Sequence, residues 1–363
     1  MSRTPLRILL LGGTGFIGPL HVEAALARGH KVSIFNRGLS KGYDVPAEVE
    51  RITGDRDGDL SVLASRDWDV VVDLASYVPN RIRTLGEALK HRVGLYVFIS
   101  TVMVYDKDAT TDADFVESSP VNIYKGASDP YALNTAPHYG AFKALCEQEA
   151  ARQFPGRTLI LRLGHLVGPG DWHGGFAYWL ARMERGGSAL IAGAPSLPIQ
   201  IIDVRDVPDW TVRMSEKRAT GAYNVTGPNQ KFTLGDLIGA VERETRAPAT
   251  VNWVPSSFLM SRGGHEWWDK LLFWTEEEEA YQAWMRMDIR RAVAEGLSFR
   301  PLAETINDTR AWYSRLPSER QIELLAGFRP LAKRKKEWLP AKSWPTYLAK
   351  EAEVLGAWRS SCS

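Results

Sequence analysis

A doubly wound α/β fold, with a parallel sheet covered on both faces and a smaller, interleaved α+β part, is what three features of the sequence predict. Short continuous apolar runs alternate with helix-patterned stretches through the first half, as in parallel sheets buried on both faces. A glycine-rich bend, Gly12-Gly13-Thr14-Gly15-Phe16-Ile17-Gly18, sits between the first run and the first helix. After about Gly168 this alternation gives way to a mixture of helices, short strands and Gly/Pro loops.

The elements follow in order. Arg7 to Leu11 is a continuous apolar strand, Gly18 to Arg28 a helix rich in Ala and Leu, and Lys31 to Phe35 the second strand. A shorter third strand ends near Gly54. Asp69 to Leu74 and Leu95 to Ser100 are further β-rich runs, His138 to Gln153 reads as helix and Thr158 to Leu163 as strand. Folds of this kind bind ligands beyond the C-terminal ends of their strands. In the second half, Phe176 to Glu184 and Thr233 to Thr245 read as helices; Ala189 to Ala192, Gln200 to Ile202 and Ala222 to Val225 read as short strands. Gln200 to Val204 and Gly221 to Val225 look like strands returning to the main sheet. The expected division is 1–168 with 199–227, 169–198 with 228–315, and a solvated helical tail, 316–363, carrying Lys333-Arg334-Lys335-Lys336. Glu276 to Glu279 reads as a solvated helix face.

Bulk properties narrow the function classes. The chain has 363 residues, 44% hydrophobic and 24% charged, with a net charge of +2. That balance is ordinary for a globular protein and gives no electrostatic case for nucleic acid or an anionic membrane. Two cysteines, Cys146 and Cys362, are too few for a disulfide framework, so a cytoplasmic setting is expected. Arg3 and Arg7 precede an apolar run, Ile8 to Leu11, too short for a signal peptide. No run approaches the ~20 apolar residues of a membrane span. Neither a metal-ligand spacing nor a Gly-x-Ser-x-Gly elbow is present.

The bend is a dinucleotide fingerprint in its proper context. Gly12 permits the tight turn, Gly15 lets a pyrophosphate approach the backbone and Gly18 lets helix and strand pack closely; the helix N-terminus then holds the phosphates. The second strand ends at Phe35-Asn36-Arg37-Gly38. An acid there would bind the ribose 2′-hydroxyl, whereas an arginine accommodates a 2′-phosphate. Asn36 and Arg37 therefore favour NADP(H) and leave NAD(H) open. Asp55, in Gly54-Asp55-Arg56, is placed to accept from an adenine amino group, and equally well to be a plain loop carboxylate.

Tyr139-Gly140-Ala141-Phe142-Lys143 places a phenol and an amine one helical turn apart. A free phenol has a pKa near ~10, and a neighbouring ammonium favours its ionised form. Tyr139 can then exchange a proton with a substrate oxygen while hydride moves, with Lys143 beside it. Alone, this pattern would be two surface residues; following a dinucleotide bend, it is a catalytic pair. Ser100-Thr101-Val102-Met103-Val104-Tyr105 ends the preceding strand. Thr101, with Ser100 second, is the candidate for aligning the substrate oxygen; capping the strand end is the competing role. His138 and His165 stay outside the set.

Together these residues resemble the extended short-chain dehydrogenases, the NAD-dependent epimerase/dehydratase family with its Rossmann fold, over residues 6 to 315. The resemblance implies cofactor contacts from Gly12, Thr14, Gly15, Phe16, Ile17 and Gly18. It implies others from Asp55-Arg56, from Leu74-Ala75-Ser76 after the fourth strand, from Ser100, Tyr139 and Lys143, and from Leu163 between Arg162 and Val167-Gly168-Pro169. Thr101 falls where that family carries its catalytic Ser or Thr. Ile202 to Val207 and Asp288 to Pro301 resemble further family segments, the latter closing the substrate domain. Within the family the chain is most similar to a bacterial branch called 2′-hydroxyisoflavone-reductase-like, through Phe35 to Gly38, Gly54 to Asp59 and Tyr139 to Glu147. Chloroplast stem-loop RNA-binding proteins are more distant kin. Dehydratases of the family carry Asp-Glu directly after the Thr; Val102 and Met103 stand there, which disfavours water elimination. A homodimer is a further implication of the resemblance.

The expected activity is NAD(P)-dependent hydride transfer, as oxidoreductase or epimerase, on a secondary alcohol or ketone of a sugar-like or aromatic polyol compound. Trp172, His173, Phe176, Tyr178, Gln200 and Trp267 are the expected substrate-lining residues, since aromatic faces suit both kinds of ring. No basic cluster in these segments demands a nucleotide diphosphate, although Arg182 and Arg291 could contribute to holding one. The alternative is a non-catalytic dinucleotide-sensing or RNA-binding protein on the same fold.

Overall fold

A computed structural model describes residues 4–39, 44–109, 114–171, 175–262, 284–325 and 344–362. The expected lining residues Trp172, His173 and Trp267, the Glu276 to Glu279 run and the Lys333 to Lys336 cluster lie outside these described residues. The chain divides into two compact units.

The first unit comprises 1–165, 204–229 and 287–299. Its centre is a seven-stranded sheet of β1 (Arg7–Leu11), β2 (Lys31–Asn36), β3 (Glu50–Thr53), β4 (Trp68–Asp73), β5 (Val93–Thr101), β6 (Thr158–Leu163) and β10 (Gly221–Val225). Their order is β10-β6-β5-β4-β1-β2-β3, and every pairing is parallel. The alternation of burial explains why the runs look continuously apolar. Leu9, Leu11, Val71, Tyr96, Phe98 and Ile160 face a core closed by α2 (Ser61–Ala64), α3 (Pro79–Leu89) and α4 (Tyr139–Gln153) through Leu63, Ile82, Leu85, Leu89, Cys146 and Phe154. Ile8, Leu10, Val32 and Ile34 are buried as well. The helix α1 (Gly18–Ala27) packs on β1 and β2 and against α6 (Asp206–Glu216). Chain reversal after β1, and again at the end of every parallel strand, brings the C-terminal strand ends to one edge.

Residues Asp288 to Phe299 belong to this unit rather than closing the second one. The short helix α9 (Arg290–Ala294) packs on β10, and Asn224 Nδ2 donates to the Asp288 carbonyl at 3.0 Å. Gly221 to Val225 does join the main sheet, as expected. Gln200 to Val204 does not: β9 (Ile201–Asp203) pairs with β7 (His165–Val167) in a separate two-stranded sheet. Three residues of apolar pattern identify a strand but carry no information about its partner.

The second unit comprises 166–203, 230–286 and 300–363. α5 (Gly175–Glu184), α7 (Leu234–Arg243) and the paired strands β8 (Ser188–Ala192) and β11 (Thr250–Val254) enclose its core. A reciprocal capping box, Thr233 with Asp236, starts α7. The C-terminal helix, α12 (Trp344–Cys362), is not the solvated tail its polar composition suggests. Val354 and Leu355 enter the core, and Glu351 pairs with the buried Arg182 at 2.8 Å while accepting from Leu190 N. Among the described residues no helix is long and apolar enough to cross a membrane.

Candidate active site

The glycine bend is shaped for a ligand. Gly12 N donates to Phe35 O at 3.0 Å, which ties the bend to β2. A Cβ on Gly18 would lie 2.5 Å from the Gly13 carbonyl carbon, so only glycine lets α1 start this close to β1. A Cβ on Gly15 would meet nothing within 4 Å: the backbone there is open to an approaching group. The first turn of α1 holds no acidic residue, and no side chain caps it, so its positive dipole end suits a phosphate, although Gly18 N already donates to Gly15 O and Pro19 offers no N–H. Leu74 and Ala75 stand 3.7 and 3.8 Å from a Cβ built on Gly12, bringing the segment after β4 to the bend. Asn36 bridges the end of β2 to it, donating to Gly12 O at 3.1 Å and accepting from Gly38 N at 2.8 Å. Arg37 is exposed beyond it. Asp55 is exposed and accepts from Asp57 N within its own loop.

Beside the bend lies a buried carboxylate that the sequence reading passed over. Asp73 ends β4 fully buried and accepts from Arg56 at 2.9 Å, Ser76 Oγ at 2.5 Å, Tyr96 Oη at 2.7 Å and two backbone N–H groups. Burial alone would raise this carboxyl; Arg56, Ser76 and Tyr96 outweigh it and hold Asp73 well below the usual carboxylate range. Two residues expected at the cofactor, Arg56 and Ser76, belong to this cluster. The Arg56 guanidinium and the Ser76 hydroxyl are engaged with Asp73 and each other, because a charge at a buried strand end must be neutralised where it stands. The signal was available: an Asp closing an otherwise apolar strand.

Lys143 lies one turn into α4, 4% exposed. Its Nζ donates to Ser76 O at 2.9 Å and Ile99 O at 2.6 Å and lies 4.0 Å from the centre of the Phe98 ring. Burial lowers its pKa to about 8. Tyr139, at the start of the same helix, is 38% exposed. Its pKa is pushed up to about 12, first by burial of the phenol and then by Tyr77, with Thr101 opposing. The Lys143 ammonium is directed at two carbonyls; the expected effect on the phenol involves an oxidised nicotinamide ring as well as this ammonium. Thr101 also accepts from Met103 N at 3.2 Å, capping the single 3₁₀ turn Val102–Val104. Of the two roles expected for this hydroxyl, the cap is what these contacts show. Gly140 explains how this turn meets α4, since a Cβ there would run into the Met103 carbonyl oxygen; the glycine lets α4 start against the turn that carries Thr101.

Ser100, like Ser76, has a partner within the chain. Its hydroxyl donates to Glu147 at 2.5 Å, and Glu147 pairs with Arg162 at 2.6 Å. Arg162 reaches Tyr105 Oη at 2.9 Å, and Tyr105 donates to Asn224 at 2.6 Å. The cluster joins the ends of β5, β6 and β10. Leu163, opposite Thr101 in the sheet register, is 7% exposed. Next to it, burial pushes His165 down to about 4, while His138 is exposed at the start of α4.

The expected substrate-lining residues of the second unit fare differently. Phe176 is fully buried and Tyr178 is 7% exposed, both within its core; an amphipathic helix gives no sign of whether its apolar face meets a core or a ligand. Arg182 is held by Glu351, and Arg291 lies 4.4 Å from the centre of the Tyr223 ring. Gln200 is half-buried just before β9. Tyr77, by contrast, was missed. It directly follows Leu74-Ala75-Ser76 and stands 48% exposed, its ring 6.2 Å from that of Tyr139.

Known proteins share this arrangement. Residues 8–226 match the model of the NAD dependent epimerase/dehydratase family. A 3-diazoavenalumate denitrifying reductase from a Streptomyces species is 28% identical over 297 residues, spanning 71% of this chain and 91% of that protein. The chloroplast stem-loop binding protein of 41 kDa b of Arabidopsis thaliana is 25% identical over 63% of this chain and 60% of its own length. Among solved structures, the UDP-glucuronic acid 4-epimerase of Bacillus cereus, in complex with NAD, superimposes with a TM-score of 0.61 and 19% identity over 85% of this chain and 98% of that one. The UDP-N-acetylglucosamine 4-epimerase of Methanobrevibacter ruminantium gives a TM-score of 0.62 and 18% identity, over 86% of this chain and 100% of that one. With the family model covering the bend, the sheet and the Tyr139/Lys143 helix together, the chain belongs to the NAD-dependent epimerase/dehydratase family and is an enzyme of its oxidoreductase/epimerase type.

Proposed function

We propose that the protein is a reductase that returns a ketone or aldehyde carbon to the alcohol level, with Tyr139 as the proton donor. The observation that carries this reading is the meeting of the turn that holds Thr101 with the start of the Tyr139/Lys143 helix, through Gly140, on a sheet whose glycine bend is open. When bound on that bend, the dinucleotide supplies hydride to the substrate carbon. Thr101 and Tyr139 grip the substrate oxygen. A phenol is protonated at neutral pH, so Tyr139 can donate to a forming alkoxide in the reducing direction. Lys143 fastens α4 to the strand ends and keeps a positive charge below the reacting oxygen. The similarity to a reductase at 28% identity supports exchange of the dinucleotide over an epimerase cycle that retains it.

Arg37, exposed at the end of β2 in the absence of an acid there, favours NADP(H) over NAD(H). A cytoplasmic site of action fits a chain with two cysteines, of which Cys146 is buried and free. A net charge of +2 weighs against the RNA-binding alternative.

Turnover of reduced dinucleotide against a panel of ketones and aldehydes tests the reading. Tyr139→Phe is expected to lose about 10²–10⁴-fold in kcat, with dinucleotide affinity unchanged by calorimetry. Full turnover in that variant overturns the assignment. Thermal unfolding with each dinucleotide tests the preference: at a hundred times its Kd a ligand adds about 2.7 kcal/mol, and NADPH is expected to stabilise more than NADH at equal concentration.

A further inference from the structure

The surroundings of Tyr139 in the first unit are apolar in an unusual way. Among the described residues, seven large hydrophobic side chains stand exposed, and four of them belong to this one place: Tyr77 at 48%, Met103 at 38%, Ile123 at 76% and Tyr139 at 38%. The backbone ties them together. Met103 N donates to the Thr101 hydroxyl, Met103 O accepts from Asn122 Nδ2 at 3.0 Å, and Ile123 follows Asn122. Tyr77 stands on the neighbouring strand end, its ring tilted 39° to that of Tyr139 and 5.5 Å from Lys143 Nζ. Concentrated exposed apolar surface beside reactive groups marks a binding surface.

Most polar groups nearby are already engaged, leaving a third Lys143 N–H and the buried Arg56 Nε without a partner among these contacts. Ser76 and Arg56 are held by Asp73, Ser100 by Glu147, Arg162 by Glu147 and Tyr105, and Lys143 by two carbonyls. A sugar ring laid here would leave hydroxyls against apolar side chains and lose their hydrogen bonds to water. A flat ring would instead cover Tyr77 in an offset or tilted stack.

We infer that the Tyr139 site takes an aromatic carbonyl compound whose ring lies on Tyr77, with Met103 and Ile123 as its apolar rim. This rests on the reductase reading above and names the substrate class for it. Tyr77 acts through its ring face; its hydroxyl is dispensable.

Binding measurements on the full-length protein separate this inference from that reading. Calorimetry first fixes dinucleotide affinity for the wild type, Tyr77→Phe and Tyr77→Ala; a wild type that binds no dinucleotide defeats the reductase reading itself. With dinucleotide saturating, ligand-observed NMR then gives Kd for 4-hydroxyacetophenone, for its saturated-ring counterpart 1-(4-hydroxycyclohexyl)ethanone, and for UDP-glucose. The aromatic ketone is expected to bind the wild type at least about tenfold tighter than the other two. Tyr77→Phe should keep that Kd within about twofold. Tyr77→Ala should weaken it about tenfold while dinucleotide affinity stays unchanged. Equal or absent binding of the two ketones, tighter binding of UDP-glucose, or a Tyr77→Ala loss shared equally by the dinucleotide each overturns the inference.

Discussion

The glycine bend and the polar clusters beside it sit at the ends of the same strands, yet one is open and the others are closed. At the bend, Gly15 faces empty space and the first turn of α1 has no side-chain cap. A few ångströms of chain away, Asp73, Ser76, Arg56, Ser100, Glu147 and Arg162 hold one another. Most of these look alike in the sequence, as polar or glycine residues at or just beyond strand ends, Glu147 on α4 being the exception. What separates them is whether a partner within the chain already occupies the group. Backbone N–H groups at a helix start have no such partner and await a ligand; a buried carboxylate or guanidinium cannot wait, because desolvation without a partner costs too much. The closed clusters therefore build the platform, and the open bend together with Thr101, Tyr139 and Tyr77 is what the proposed reaction would use.

Substitution can break this contrast. Glu147→Ala should have the largest effect, leaving Arg162 buried beside an empty space. A loss of about 3–5 kcal/mol in urea unfolding is expected. A loss under ~1 kcal/mol would mean that the cluster is no part of the platform.

Lys143 belongs to the closed side, and pH sharpens that claim. Burial lowers its folded pKa to about 8, below the 10.5 of an exposed lysine. Between those values the unfolded chain keeps a proton that the folded chain has released. The burial cost is complete below pH 8 and relieved as pH rises to about 10.5. Relative to Lys143→Met, the wild type should gain on the order of 2–3 kcal/mol across that window. Comparing the two proteins removes Cys146 and Tyr139, whose pKa values are both pushed up to about 12 by burial and whose sign is opposite. A flat difference between wild type and variant would place Lys143 in solvent.

The smallest effect on stability is expected at the open side. Gly15→Ala should change unfolding free energy by no more than ~0.5 kcal/mol, since its Cβ meets nothing. Its dinucleotide Kd should nonetheless rise about tenfold, because the added methyl stands where the ligand approaches. Calorimetry and urea unfolding on this variant and Glu147→Ala together form the test: the first should lose binding and keep stability. An unchanged dinucleotide Kd in Gly15→Ala would remove the bend from the site.

Much of the fold was legible because its signals are local. A strand buried on both faces must be apolar throughout, so Arg7 to Leu11, Lys31 to Phe35 and Thr158 to Leu163 stand out within a few residues of their observed limits. The glycine bend and the Tyr139/Lys143 pair are likewise defined by spacing along a single turn of chain. Short strands such as β9 and the helix α12 were harder, since their place depends on which distant surface they meet.

The sequence by itself determined the parallel sheet, the dinucleotide bend and the phenol–amine pair, because each follows from backbone geometry over neighbouring residues. Only the tertiary structure decided which polar groups remain available. Ser100 finds Glu147 across 47 positions and Tyr105 finds Asn224 across 119, and the same folding leaves Tyr77 exposed beside Tyr139 while burying Phe176. Hydrogen-bond satisfaction and burial are properties of the whole packed chain, and no local pattern encodes them.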